Sequence, residues 1–131
     1  MAGYEANQEH LRQLSLLGKP LARRSGRRCE LCEVGGVKLQ PFEVSPASVE
    51  PELERTLFLC ETCAAQINKP ATMEAPRWRC LANAVWSETP AAQVMAVRLL
   101  RRLSGKEPWA AELLEDLDLE PEIEAWIDQD N

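Results

Sequence analysis

The spacing of apolar residues predicts helices at both ends of the chain and a short extended region between them. Leucines at steps of three and four up to Leu21 predict an N-terminal helix with Asn7 at its N-cap. A glycine and a lysine interrupt this pattern, and Pro20 is expected to begin a second short turn. Short apolar runs between residues 37 and 60 flank a proline- and glutamate-containing loop at 45–55. We therefore predict two strands joined by that loop.

Helical spacing returns after residue 60. Thr89 is the expected N-cap of the longest helix in this part, with Pro90 in the first helical position. Cys80 is interpreted as a buried free thiol, because no histidine stands near it to activate it. The predicted helices span 61–68, 91–103, 108–115 and 121–127, with a short one at 84–86. The tryptophans expected to anchor the core are Trp78, Trp86, Trp109 and Trp126.

Charge is distributed unevenly along a chain whose net charge is -6. Residues 107–131 hold ten carboxylates and no lysine or arginine, whereas the first 28 residues are basic. Two interpretations stay open for the cations before the first cysteine. They form a solvated loop at a helix C-terminus, or they contact a polyanion such as nucleic acid and are partly shielded by the acidic end. These cations are Lys19, Arg23, Arg24, Arg27 and Arg28.

Two Cys-x-x-Cys pairs, Cys29 with Cys32 and Cys60 with Cys63, stand on either side of the predicted strands. Four thiolates in this pattern are the ligand set of a tetrahedral structural zinc site, and we predict one zinc ion held by them. The 27 residues between the pairs exceed the usual spacing, and the loop at 45–55 accommodates the excess. The alternatives are a redox dithiol, which needs only one pair and usually follows a strand in a βαβ unit, and structural disulfides.

The cellular compartment helps to decide between zinc binding and disulfides. No leader segment precedes the first polar residues, and no apolar run is long enough to cross a bilayer. We therefore expect a soluble, cytoplasmic protein without membrane contact. In the reducing cytoplasm, paired cysteines more often bind a metal than form disulfides.

The order of knuckle, hairpin and helix predicts a treble-clef arrangement, with Cys60 and Cys63 at a helix N-terminus that stabilises thiolate. His-Me (HNH) nucleases use the same clef, with a histidine as general base near the end of the first strand and another after the last cysteine. Aligned on the cysteines, those places hold Glu43 and Ala64, and the one histidine, His10, lies far upstream. Without an imidazole there the nuclease mechanism loses its base, so we predict no catalytic residues.

Four longer pieces of the sequence stand out: Cys29-Glu30-Leu31-Cys32, Phe42-Glu43-Val44, Leu59-Cys60-Glu61-Thr62-Cys63 and the run from Trp78 to Val94. Together they resemble the PhnA family, the zinc-ribbon proteins named for the alkylphosphonate-utilisation operon. The resemblance implies that the four cysteines ligate zinc. It supplies no substrate, because the family name reflects a genomic neighbourhood rather than a phosphonate-cleaving reaction. Members commonly continue into a small β-rich C-terminal domain, which we do not expect within these residues.

These patterns together predict an α+β chain in three parts: a basic helical segment at 1–28, a treble-clef zinc module with a small β-hairpin at 29–70, and a tryptophan-anchored helical segment at 71–131. The expected function is that of a non-catalytic binding or adaptor module with an unidentified protein or nucleic-acid partner. The alternatives are a nucleic-acid-binding protein on a degenerate HNH-like clef and an enzyme linked to phosphonate metabolism. An enzyme would gather histidine, acidic or lysine side chains in a pocket, and no such cluster stands out along the sequence.

Overall fold

The computed structural model describes the backbone of residues 2–129 and the side chains of residues 5–129. In that part of the chain, helices precede and follow one two-stranded antiparallel hairpin, so the predicted α+β class is confirmed. Short 3-10 turns lie at Leu53–Arg55, Pro70–Thr72 and Arg77–Cys80. The helices and strands are α1 (Ala2–Leu16), α2 (Gly18–Ser25), β1 (Leu39–Glu43), β2 (Thr56–Cys60), α3 (Glu61–Asn68), α4 (Leu81–Ala84), α5 (Pro90–Leu103), α6 (Pro108–Glu115) and α7 (Pro121–Ile127).

No helix among the described residues combines the length and the apolar character needed to cross a membrane.

The N-terminal helices are interrupted where the sequence predicts a break. α1 ends before the glycine, and α2 begins at Gly18 rather than at Pro20. Asn7 lies inside α1, which already includes Ala2, so its prediction as an N-cap is wrong. α1 keeps much of its apolar surface in solvent, with Leu11 50% and Leu16 63% exposed.

The hairpin carries the second cysteine pair towards the first. β1 and β2 pair antiparallel, with Leu39 opposite Cys60 at the end that leads into α3. Pro41 lies within β1, where it is tolerated because the strand has a neighbour on one side only. Leu57 and Leu59 of β2 are fully buried and join the hairpin to the helical core.

α5 lies at the centre of that core, and α4, α6 and α7 pack on it. Pro90 occupies its first position and Thr89 the N-cap position, as predicted, although the Thr89 side chain makes no capping hydrogen bond. Every residue from 94 to 100 is buried, which is typical of a helix surrounded by other elements rather than lying on a surface. Arg98 is buried with them and donates to two backbone carbonyls at the end of α7, at 3.2 and 2.6 Å.

The tryptophans differ in how far they are buried. Trp78 is fully buried, as predicted, whereas Trp86 is 57% exposed, so its prediction as a core anchor is wrong. Trp109 and Trp126 are half-buried and pack on the core. Each has a guanidinium over its ring, 4.8 and 4.3 Å from the ring centroid respectively. These cation–π contacts cover the ring faces that the core does not bury. The two arginines are Arg79 and Arg55.

The acidic helices α6 and α7 pack on α5. Asp128, just after α7, forms an ion pair with Arg101 of α5 at 3.0 Å. Among the described residues, no ion pair joins α6 or α7 to the cations between residues 19 and 28. Shielding of those cations by the acidic end stays a prediction.

Candidate metal centre

The two cysteine pairs converge on one point in the structure. The four Sγ atoms all lie within 4.8 Å of one another, and the Sγ atoms of Cys32 and Cys60 are 3.7 Å apart. Cys29, Cys60 and Cys63 are buried and Cys32 is half-buried, and all four are free thiols. The described part of the chain gathers no other group of three or more histidine, cysteine or carboxylate ligands. The predicted ligand set is therefore assembled and could bind a metal ion.

A tight turn between α2 and β1 carries the first pair. The Cys29 N–H donates to the Val34 carbonyl at 3.0 Å, and the Glu33 N–H donates to the Cys29 carbonyl at 2.9 Å. Glu33 takes a φ of 66°, a left-handed conformation that reverses the chain after Cys32. This reversal brings both sulfurs of the pair to the same side of the turn.

The second pair lies where β2 meets α3. Cys60 is the N-cap residue of α3, and its Sγ accepts the Cys63 N–H at 3.4 Å. The free N–H groups and dipole of a helix N-terminus favour negative charge. Both cysteines therefore lie at the N-terminus of α3, as the sequence predicts.

Arg77 also belongs to the site, and the cysteine spacing gives no sign of it. One terminal nitrogen, Nη2, lies 3.3 Å from the Sγ of Cys63, 3.4 Å from that of Cys60 and 3.6 Å from that of Cys32. Burial disfavours the charge of this guanidinium, but the hydrogen bond to Cys63 and the neighbouring sulfurs outweigh it and raise the pKa of Arg77. A cation thus contacts three of the four candidate ligands.

The thiols share their protons unequally. The hydrogen bond from the Cys63 thiol lowers the pKa of Cys29 to about 4. The same hydrogen bond, together with burial, raises the pKa of Cys63, and burial raises that of Cys32. Cys29 therefore ionises readily, whereas Cys32 and Cys63 resist ionisation. A bound divalent cation would reverse this resistance by displacing the remaining protons.

Cys80 stands outside the four-cysteine set, as predicted. Its thiol is half-buried, and burial raises the pKa of Cys80 to about 11. A thiol that stays protonated is a poor nucleophile and a poor metal ligand. Cys80 is thus a free thiol, as interpreted from the sequence, although it is half-buried rather than buried.

A partly buried ion pair ties the first cysteine turn to the hairpin. Arg24 donates to both carboxylate oxygens of Glu30, at 3.0 and 2.6 Å, and Glu30 also accepts the Phe58 N–H at 2.8 Å. Arg24 further donates to the carbonyls of Leu53 and Thr56, at 2.9 and 2.7 Å. Glu30 lies between the cysteines of the first pair, so this network fixes the turn on β2.

The other cations predicted to contact polyanions lie at the surface. Lys19, Arg23, Arg27 and Arg28 are exposed. Lys19 and Arg27 flank an open groove of about 430 Å³. Among the described residues none of the four forms an ion pair. The apolar floor of the groove is formed by Val37, Leu39 and Phe58.

The structure places His10 somewhere that its sequence position does not suggest. α1 folds back over the hairpin, and the His10 Nε2 contacts the Glu43 carboxylate while its Nδ1 lies 3.2 Å from the Val49 carbonyl. The side chains of His10 and Glu43 are 23% and 16% exposed. Both ring nitrogens thus face acceptors, and the Glu43 hydrogen bond above all raises the pKa of His10. An imidazole therefore does stand beside Glu43, contrary to the premise drawn from the sequence, and when protonated it forms a clamp between α1 and β1.

Comparison with known proteins adds no assignment. No protein-family model, no curated protein and no solved structure matches this chain.

Proposed function

We propose that this protein is a zinc-stabilised binding module, cytoplasmic and related to the PhnA family, in which one zinc ion has a structural rather than a catalytic role. The observation that carries the proposal is the closed cluster of four cysteine sulfurs. Catalytic zinc sites use three protein ligands and keep a position open for water, whereas structural sites fill all four positions with protein. Here four thiols are available and three of them are buried.

One of the distances between sulfurs fits that metal, and all four sulfurs lie within 4.8 Å of one another. Zinc–sulfur bonds of about 2.3 Å in a tetrahedron separate the sulfurs by about 3.8 Å, close to the 3.7 Å between the sulfurs of Cys32 and Cys60. The turn, the hairpin and α3 that present these sulfurs are in the order of a treble clef. Zinc would join the turn after α2 to the start of α3, two elements far apart in sequence, and its binding would contribute to folding.

Metal analysis and chelation test the proposal. The purified chain should contain one zinc per molecule, and a strong chelator should unfold the region from residue 29 to residue 68 first, monitored by hydrogen exchange. Cys63→Ser should lose zinc, and the matched control Cys80→Ser should keep it. A metal-free chain that is fully folded, or zinc content unaffected by Cys63→Ser, would contradict a structural zinc.

As a second candidate function, we propose that this module binds nucleic acid. The observation in favour is that Lys19, Arg23, Arg27 and Arg28 stay exposed while Arg24 is engaged inside the protein. Exposed cations that are not neutralised by acidic neighbours attract phosphates and release counterions. The groove between Lys19 and Arg27 adds an apolar floor that a base or a ribose could contact.

Fluorescence anisotropy with a single-stranded oligonucleotide measures this interaction. Replacing Lys19, Arg23, Arg27 and Arg28 with glutamine should weaken binding and reduce the salt slope by about 0.7 for each phosphate that is no longer neutralised. Arg101→Gln with Lys106→Gln removes exposed cations elsewhere and is the control. Equal affinity of the two variants at low salt would argue against this surface.

A further inference from the structure

We infer that Arg77 is a cap on the thiolate cluster that restrains loss of the bound metal and attack on its ligands. This inference rests on the proposed zinc site. It concerns a property that the four cysteines alone do not determine, namely how fast the metal leaves.

The contacts are concentrated on one nitrogen atom. Nη2 of Arg77 lies within 3.3–3.6 Å of the sulfurs of Cys63, Cys60 and Cys32. These distances are those of N–H···S hydrogen bonds, and they exceed the metal–sulfur bond length of about 2.3 Å. The nitrogen therefore lies against the face made by three sulfurs and leaves the position between the four for the metal.

While Nη2 of Arg77 contacts the sulfurs, another nitrogen of the same side chain lacks a hydrogen bond. Its Nε is buried and has no hydrogen-bond partner among the described groups. A buried N–H without a partner is unfavourable, so the position of the guanidinium is not explained by general hydrogen bonding. It is explained by the attraction of the terminal nitrogen to the sulfur cluster.

The backbone that carries Arg77 is hydrogen-bonded to α3, the helix that carries Cys63. Trp78 is fully buried and its Nε1–H donates to Oε1 of Gln66 in α3 at 2.7 Å. The Glu74 N–H donates to the same oxygen at 3.1 Å, and the Gln66 amide nitrogen donates back to Glu74 at 2.9 Å. α3 also carries Cys63, so these hydrogen bonds link the segment that bears Arg77 to the helix that bears one of the ligands it contacts. Such support of metal ligands from outside the coordination shell is often needed for full metal affinity.

The charge of Arg77 matters for the reaction that removes the metal. A divalent ion with four thiolates carries a net charge of about -2, and a guanidinium beside it offsets one unit. Hydrogen bonds to sulfur also withdraw electron density and make the thiolate a weaker nucleophile. When iodoacetamide reacts, a thiolate sulfur forms a C–S bond, iodide leaves with the electron pair of the C–I bond, and the metal loses one ligand. The cap should slow this step.

The test compares zinc release from the full chain and its variants in excess iodoacetamide, followed with a zinc-binding dye. Arg77→Met should release zinc about 10-fold faster than the unaltered chain, within the range of losses on removal of such outer contacts. Arg77→Lys keeps the positive charge but loses the planar guanidinium. It should therefore release zinc at a rate between those of the unaltered chain and Arg77→Met. Arg79→Met changes a neighbouring exposed arginine and should release zinc at the unaltered rate.

Equal release rates for the unaltered chain, Arg77→Met and Arg77→Lys overturn the inference and leave the zinc site standing. An unaltered chain that binds no zinc refutes the proposed function itself, and the inference with it. If Arg77→Met does not fold even with zinc, the rate for Arg77→Lys decides, and a rate equal to that of the unaltered chain overturns the inference.

Discussion

Arg24 is expected to stabilise the folded chain, and removing it tests the reasoning about the first cysteine turn. In Arg24→Met the buried carboxylate of Glu30, whose side chain is only 7% exposed, loses its cation. Two hydrogen bonds to Glu30 and one each to the carbonyls of Leu53 and Thr56 are removed at the same time. The Phe58 N–H remains as a donor to Glu30. Methionine keeps most of the apolar stem, so the change removes charge more than volume.

The structure sets the size of the effect. Removing one partner of a fully buried ion pair costs about 3–5 kcal/mol. The Arg24 side chain is 24% exposed. Water therefore reaches the space that the guanidinium leaves, and the loss of stability should be smaller than for a fully buried pair. We expect Arg24→Met to lower the free energy of unfolding by about 2–3 kcal/mol, the range of one or two charged hydrogen bonds.

Urea unfolding of the zinc-bound protein at fixed zinc concentration measures this loss as a shift of the midpoint at constant slope. Arg23→Met removes a neighbouring exposed arginine and should change stability by less than about 0.5 kcal/mol. The double change of Arg24→Met with Glu30→Gln should be less destabilising than the sum of the single changes, because the two side chains interact. Equal stability of Arg24→Met and Arg23→Met would refute the assignment of Arg24 to the interior.

Two other predictions concern groups away from the sulfurs. Because Glu43 raises the pKa of His10, the clamp on α1 contributes fully below about pH 6.5 and is lost as the pH rises through the raised pKa. An NMR titration of the ring, with Glu43→Gln as control, should show this raised pKa, and a pKa like that of a free histidine would contradict it. Gln66→Leu leaves the buried Trp78 N–H without an acceptor and should lower the free energy of unfolding by about 1–3 kcal/mol, whereas a neutral effect in urea unfolding would contradict this role.

The sequence is most informative where local signals act alone. α3, α6 and α7 have the predicted bounds, because prolines or a cysteine N-cap mark where each begins. Pro90 likewise marks the start of α5. The four-cysteine cluster is predictable because a thiolate site needs two pairs at short spacing, whatever the fold between them.

Contacts between distant elements leave no comparable trace in the sequence. Arg24 stands in a basic run and resembles its neighbours, yet the fold places Glu30 beside it. Arg77 is 14 residues beyond Cys63, and nothing in that spacing points to the sulfurs. His10 meets Glu43 only because α1 returns to the hairpin. In each case a charged side chain finds its partner through tertiary packing, which periodicity does not encode.

X-ray absorption at the zinc edge of the purified protein tests the central claim most directly, because it reports the atoms bound to the metal. The proposed site predicts one zinc per chain with four sulfur neighbours at about 2.3 Å and no nitrogen or oxygen ligand. Cys80→Ser should give the same spectrum. A first shell that contains nitrogen or oxygen, or a folded protein with no zinc and a disulfide between any two of the four cysteines, would contradict the account.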